Sequence, residues 1–239
     1  MLQIFWMLRV AMSKKFAVFV EGSTEQEFTI RLLTELAGHY SIEFEIHTQH
    51  RGSLNFTELR TNKAPDIHVL VANCCNDEQV KSQIIDQYES LKLAGYSLIV
   101  GLRDVYPFNH GDIDALERGM SFGIPVGDIP IHIHLAIMEI EAWFIEEITH
   151  FSRIDEDITL DTLVDNGFDH SNKCASELTH PAETLGNIYK CVGKGYSKNK
   201  RQVQRTVNAL SYEELYINTR QKAPSLSNYI ISLEKGLAL

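Results

Sequence analysis

The residues best suited to chemistry in this sequence are acids that stand at or just after runs of apolar residues. Glu21 follows KFAVFV (residues 15–20), Asp77 follows IHVLVA (67–72), Asp104 follows SLIVGL (97–102), and Glu139 and Glu141 follow IHIHLAI (131–137). If these runs are strands of one parallel sheet, their carboxyl ends share an edge, and that edge is where an open α/β sheet places its ligand crevice. Carboxylates gathered in a low-dielectric crevice repel one another, so the arrangement costs stability unless a cation neutralises it. Mg2+ or Mn2+, held by oxygen ligands, is the usual solution. One acid at a strand end is most often a solvated loop residue. Four or five on one edge point to a metal site.

A second feature is basic. Lys190, Lys194, Lys198, Lys200, Arg201 and Arg205 occur with no acid among them. A solvated helix face and a phosphate contact are both open readings of such a run, and we expect the contact. Other patterns carry less. His132 and His134 share one face of an expected strand but have no third ligand nearby, so they read as ordinary strand histidines. Residues 193–197 (GKGYS) lack the spacing of a P-loop. No Gly-x-Ser-x-Gly elbow is present, and Trp143 and Phe144 read as core.

The elements that must position these residues follow from periodicity. Residues 15–20, 67–72, 97–102 and 131–137 are short apolar runs of the kind buried in parallel sheets, and residues 41–48 (SIEFEIHT) alternate like a half-exposed strand. Between them Phe28, Ile30, Leu32, Leu33 and Leu36, then Val80, Ile84, Ile85, Tyr88 and Leu91, recur at helical spacing. Ser23 or Thr24 is expected to cap the first helix, with Glu25 at its positive end. Residues 51–65 are looser, with room for a short helix at 56–60. Helices are expected at 112–118 and 139–148. This order predicts an α/β domain with a mostly parallel sheet over residues 14–150. From residue 151 to 239 no strong strand is visible, and helices near 182–191, 200–209, 212–219 and 226–237 predict a helical C-terminal extension.

Residues 20–28 (VEGSTEQEF) resemble the first motif of TOPRIM domains, the fold shared by type IA and II topoisomerases, DnaG-type primases, small RecR-like proteins and the overcoming-lysogenization-defect nucleases. Residues 101–107 (GLRDVYP) sit where the second acidic motif of that fold lies, and residues 139–145 (EIEAWFI) resemble the IEAWxL stretch of a TOPRIM-like family of domains of unknown function, of the DUF4276 type. Residues 195–198 (GYSK) and 220–233 resemble the C-terminal part of the same family, so the likeness spans most of the chain after Lys14. It implies that Glu21 is the catalytic or metal-linked glutamate, Glu25 a supporting acid and Asp104 the first acid of the second motif. The usual Asp-x-Asp reads Asp104-Val105-Tyr106 here. The missing carboxylate then comes from Glu141, or next from Glu139, or metal binding is weaker than in the active enzymes. The resemblance implies a Mg2+- or Mn2+-dependent nuclease or related phosphodiester hydrolase acting on nucleic acid. Lys198 would neutralise charge on the phosphate, and an ATPase would be the partner in a bacterial defence or mobile-element system. A catalytically silent binding module and an enzyme acting on a small phosphorylated metabolite are the alternatives.

Composition sets bounds on these readings. The net charge is −10, and the imbalance lies wholly in the first 150 residues, which hold 21 acids and 11 basic residues. That argues against broad non-specific binding to nucleic acid but leaves room for a focused phosphate contact. No apolar run approaches the ~20 residues of a membrane-spanning helix. Cys74, Cys75, Cys174 and Cys191 form no CxxC pair, as expected of reduced thiols in a cytoplasmic protein. Residues 1–12 (MLQIFWMLRVAM) lack a basic n-region and a cleavage site. With Met7 and Met12 as alternative starts, residues 1–13 read as an N-terminal extension without a function.

Overall fold

Side chains of β1 (Lys14–Val20) alternate between two buried layers. Phe16, Val18 and Val20 enter one hydrophobic cluster, Ala17 and Phe19 another. A strand covered on both faces has to be apolar throughout, which is why KFAVFV shows no polar alternation. In the computed structural model, which describes residues 14–61 and 65–238, β1 lies inside a six-stranded sheet of order β3-β2-β4-β1-β5-β6. The other strands are β2 (Ile42–His50), β3 (Ser53–Arg60), β4 (Ile67–Asn73), β5 (Ile99–Asp104) and β6 (Ile131–Ala136), and β1 pairs directly with β4 and β5. Every pairing is parallel except β2 with β3. The N-terminal extension expected at residues 1–13 lies outside the described residues.

Helices cover both faces. α1 (Ser23–Ala37) and the last helix pack with one side of the sheet; α2 (Gln79–Leu93) and α3 (Ile113–Ser121) cover the other. The chain leaves β1 toward the β2 edge and leaves β5 toward the β6 edge. Loops at the carboxyl ends of these two neighbours therefore part, and a crevice opens between them. After β6 come α4 (Glu141–Glu146), α5 (His150–Ile154), α6 (Leu160–Asp165), α7 (Pro181–Lys190), α8 (Lys200–Ala209), α9 (Tyr212–Glu214), a π-helical turn (Leu215–Thr219), α10 (Arg220–Lys222) and α11 (Pro224–Leu237). This helical region joins the sheet in one core. The Phe28 ring lies 5.4 Å from Phe144, 5.8 Å from Trp143 and 6.1 Å from Tyr212, and Tyr229 stacks on Trp143 at 5.9 Å. Among the described residues no helix is long and apolar enough to cross a membrane.

Three local expectations are corrected. The segment with room for a helix at 56–60 is β3, paired antiparallel with β2 through a tight hairpin at Arg51 and Gly52. Both turn residues have positive φ, 51° and 85°, the twist that two-residue hairpins require. The N-cap of α1 is Gly22, without a side-chain cap, and the two expected caps, Ser23 and Thr24, are already the first residues of the helix. The helix expected at 139–148 is shorter: Met138, at φ 59°, turns the chain, and α4 begins only at Glu141.

Two glycines test the packing. A Cβ on Gly236 of α11 would meet the ring of the fully buried Phe16 at 2.8–2.9 Å, whereas one on Gly119 of α3 would meet nothing within 4 Å. Gly119→Ala should stabilise the protein by roughly 0.5–1 kcal/mol through helix propensity. Gly236→Ala should destabilise it by about 1–3 kcal/mol through overpacking. Urea-unfolding midpoints measure both; equal shifts in the two variants would mean that α11 does not press on β1 as described.

Candidate metal centre

Four elements deliver acids to one place. Glu21 stands directly after β1, and its Oε2 accepts the Asp104 backbone N–H at 2.9 Å. Asp104 is the last residue of β5, and its Oδ1 accepts the Ile140 N–H at 3.0 Å. The turn at Met138 brings in the other two. Glu139 Oε2 accepts the Ala182 N–H at the start of α7, and Glu141 Oε1 accepts the Tyr196 hydroxyl at 2.7 Å. Ligand oxygens of Asp104, Glu139 and Glu141 all lie within 4.8 Å of one another, and the three residues are buried. Glu25, in the first turn of α1, comes in from the adjacent side. A Cβ at position 22 would stand 3.0 Å from Glu25 Oε2, so Gly22 leaves that carboxylate its room.

The electrostatics follow from burial. Desolvation raises the pKa of Glu21, Asp104 and Glu141. Glu25 is pushed up to about 7, by burial first and by the charge of Glu141 second. Lys198 answers this field: its Nζ lies 3.1 Å from Glu141 Oε2 and 3.3 Å from Glu139 Oε1. Burial alone would favour the neutral amine, but Glu141, Asp104, Glu139 and Glu25 together outweigh it and hold the ammonium charged. Glu141 Oε2 is buried and accepts no well-formed hydrogen bond even so. An all-carboxylate donor set with a buried oxygen short of a hydrogen bond fits a hard divalent cation, Mg2+ or Mn2+.

Six of the residues singled out in the sequence, Glu21, Glu25, Asp104, Glu139, Glu141 and Lys198, are thus brought to one edge of the sheet. Asp77 is not part of the group. It pairs at 2.8 Å with Arg103, which precedes Asp104 on β5 and so points to the opposite face. Of the basic run, only Lys198 reaches the acids. Lys190 donates to Asn187, Lys194 pairs with Asp155, Arg205 lies over the Tyr189 ring, and Lys200 and Arg201 are exposed. His134 bonds Ser232 along a separate cleft of about 610 Å3 beside β6, and burial lowers its pKa to about 4. Tyr196, the hydroxyl that orients Glu141, was the participant sequence reasoning missed, although its place two residues before Lys198 was a usable signal.

The raised pKa of Glu25 has a thermodynamic sign. An acid whose folded pKa lies above its unfolded value of 4.5 contributes stability below pH 4.5, and that contribution is lost as pH rises through about 7. In chelator, Glu25→Gln should therefore gain on the wild type as pH rises from 5 to 8, reaching on the order of 3 kcal/mol. Thermal melts across that range measure it. A difference that does not change with pH would show that Glu25 is not the titrating group.

A family model for a domain of unknown function, DUF4276, matches residues 20–214. No curated protein matches the chain, and no solved structure does. The matched stretch runs from the residue before Glu21 to beyond α8, and it contains all the clustered acids and Lys198. The chain belongs to the DUF4276 family.

Proposed function

We propose that the protein is a Mg2+- or Mn2+-dependent phosphodiester hydrolase acting on nucleic acid, a nuclease of the TOPRIM type. The observation that carries this reading is the convergence of Asp104, Glu139 and Glu141 within 4.8 Å at the carboxyl edge of the sheet, with Glu21 and Lys198 beside them. Asp104, Glu139 and Glu141 would hold the ion. When bound, the ion supplies a Lewis acid for a phosphate oxygen and lowers the pKa of water.

The chain's own residues do the rest. Glu21, only partly buried, takes the proton of the attacking water while its other oxygen stays fixed on the Asp104 amide. Tyr196 and the Ala182 amide hold Glu141 and Glu139 in place. Lys198 offsets charge that develops on the phosphate. Work beside an ATPase partner in a bacterial defence or mobile-element system belongs to the same proposal.

A second reading, a catalytically silent binding module, is favoured by one contact. Lys198 already pairs with two of the three acids, so the cluster is partly neutralised without a metal ion.

The two readings separate in solution. Under the hydrolase reading, millimolar Mg2+ or Mn2+ raises the melting temperature, equivalent to about 2.7 kcal/mol at a hundred times the dissociation constant, and Asp104→Asn removes the shift. Single- or double-stranded nucleic acid is cut, and Glu21→Gln slows the cut roughly 10²- to 10⁴-fold. Turnover of small phosphate esters without cutting of nucleic acid would redirect the substrate class. No thermal shift and no cutting would leave the silent module.

A further inference from the structure

Lys198 occupies the place where a metal ion's charge is needed. Its Nζ stands 3.1 Å from Glu141 Oε2 and 3.3 Å from Glu139 Oε1, the residues that complete the three-acid group with Asp104. A divalent ion binds carboxylate oxygens at about 2.0–2.6 Å. An ion on those oxygens and the ammonium would therefore be close neighbours of like charge in a buried place, where repulsion is poorly screened. The two cations compete for the same carboxylates.

Burial makes the same point. Asp104, Glu139 and Glu141 are 4, 9 and 0 % exposed, while the Lys198 side chain is 39 % exposed and so reaches the acids from the solvent side. Residues 193–199, which carry it, form no helix or strand. The ends of this segment are anchored: Lys194 N–H bonds Tyr189 O and Lys194 Nζ pairs with Asp155, the Tyr196 hydroxyl bonds Glu141, and Asn199 caps α8, while between them the Ser197 N–H and hydroxyl bond the Gln202 side chain. Lys198 itself has φ 57°, a conformation that L side chains hold only while their surroundings impose it.

We infer that Lys198 is a tethered cation that a divalent ion displaces. Metal binding at Asp104, Glu139 and Glu141 releases the ammonium, the Lys198 side chain swings away from the acids with the backbone around it while Tyr196 stays on Glu141, and Lys198 is left free beside the opened site to meet an incoming phosphate. The inference rests on the metal reading above and adds an order to it: cation first, anionic substrate second.

The test needs no turnover. Hydrogen–deuterium exchange of residues 193–199 is followed in the wild-type chain with and without Mn2+, and Mn2+ affinity is measured by calorimetry for wild type, Lys198→Gln and Lys198→Arg. Mn2+ should accelerate exchange at the Ser197 amide, next to Lys198. Lys198→Gln should bind Mn2+ about tenfold or more tightly than wild type, since the competitor is gone. Lys198→Arg, which keeps the charge, should bind no more tightly than wild type. Binding of Mn2+ to Lys198→Gln alone would also support competition. Mn2+ binding to wild type with exchange at 193–199 unchanged or slowed would overturn the displacement and leave the metal reading intact. Binding to none of the three proteins would sink the metal reading and the displacement together.

Discussion

Mutual repulsion among carboxylates that the fold forces out of water is the constraint on which the rest of this structure turns. Glu25, Asp104 and Glu141 are almost wholly buried, and Glu21 and Glu139 lie against them. On four of these acids one oxygen is held by something specific: the Asp104 amide on Glu21, the Ile140 amide on Asp104, the Ala182 amide on Glu139, the Tyr196 hydroxyl on Glu141. Backbone donors dominate that list. They are fixed by strand and helix ends and cannot turn away, which is how a scaffold keeps like charges close without letting them scatter.

That scaffold is the two-sided core of the sheet. Phe16, Val18 and Val20 bind β1 to α1 and α11, and Ala17 and Phe19 bind it to α2. Because both layers are full, β1 and β5 cannot slide relative to one another, and the register that sets Val20 beside Leu102 also sets Glu21 beside the Asp104 amide. Trp143 and Phe144 extend the same logic to α4. They lock Glu141 in place by packing against Phe28 two and three residues further along the chain.

Much of this was legible in the sequence, for a physical reason. Buried parallel strands must be uniformly apolar, so four of the strands stood out, and the acids that follow them stood out in turn. The helices expected at 200–209 and 226–237 are present, the second starting two residues earlier, at Pro224. What could not be read was set by tertiary context. β3 carries Phe56 and Leu59 exposed on an edge, so its alternation had no buried face to betray it. Asp77 looked equivalent to the other strand-end acids, and only the alternation of Arg103 and Asp104 about β5 sends its partner to the opposite face. In the basic run, six cations looked alike; five find partners or solvent, and one turns inward because a left-handed residue at 198 aims it there. No local pattern in Lys, Gly and Tyr announces that turn.

The distance along the chain between the acids and their lysine bears on how the protein is made. Synthesis delivers every clustered acid by residue 141, but the ammonium that answers them arrives at residue 198 and the helix that closes the sheet face only at Pro224–Leu237. A nascent chain that has reached β6 therefore holds a sheet with an uncovered apolar face and an edge of unanswered negative charge. It has little reason to settle. Domains are usually thought of as folding while they emerge, N-terminal parts first; here the acids of the sheet edge are answered only by Lys198 and the sheet face is covered only by α11, so the site needs both before it can form.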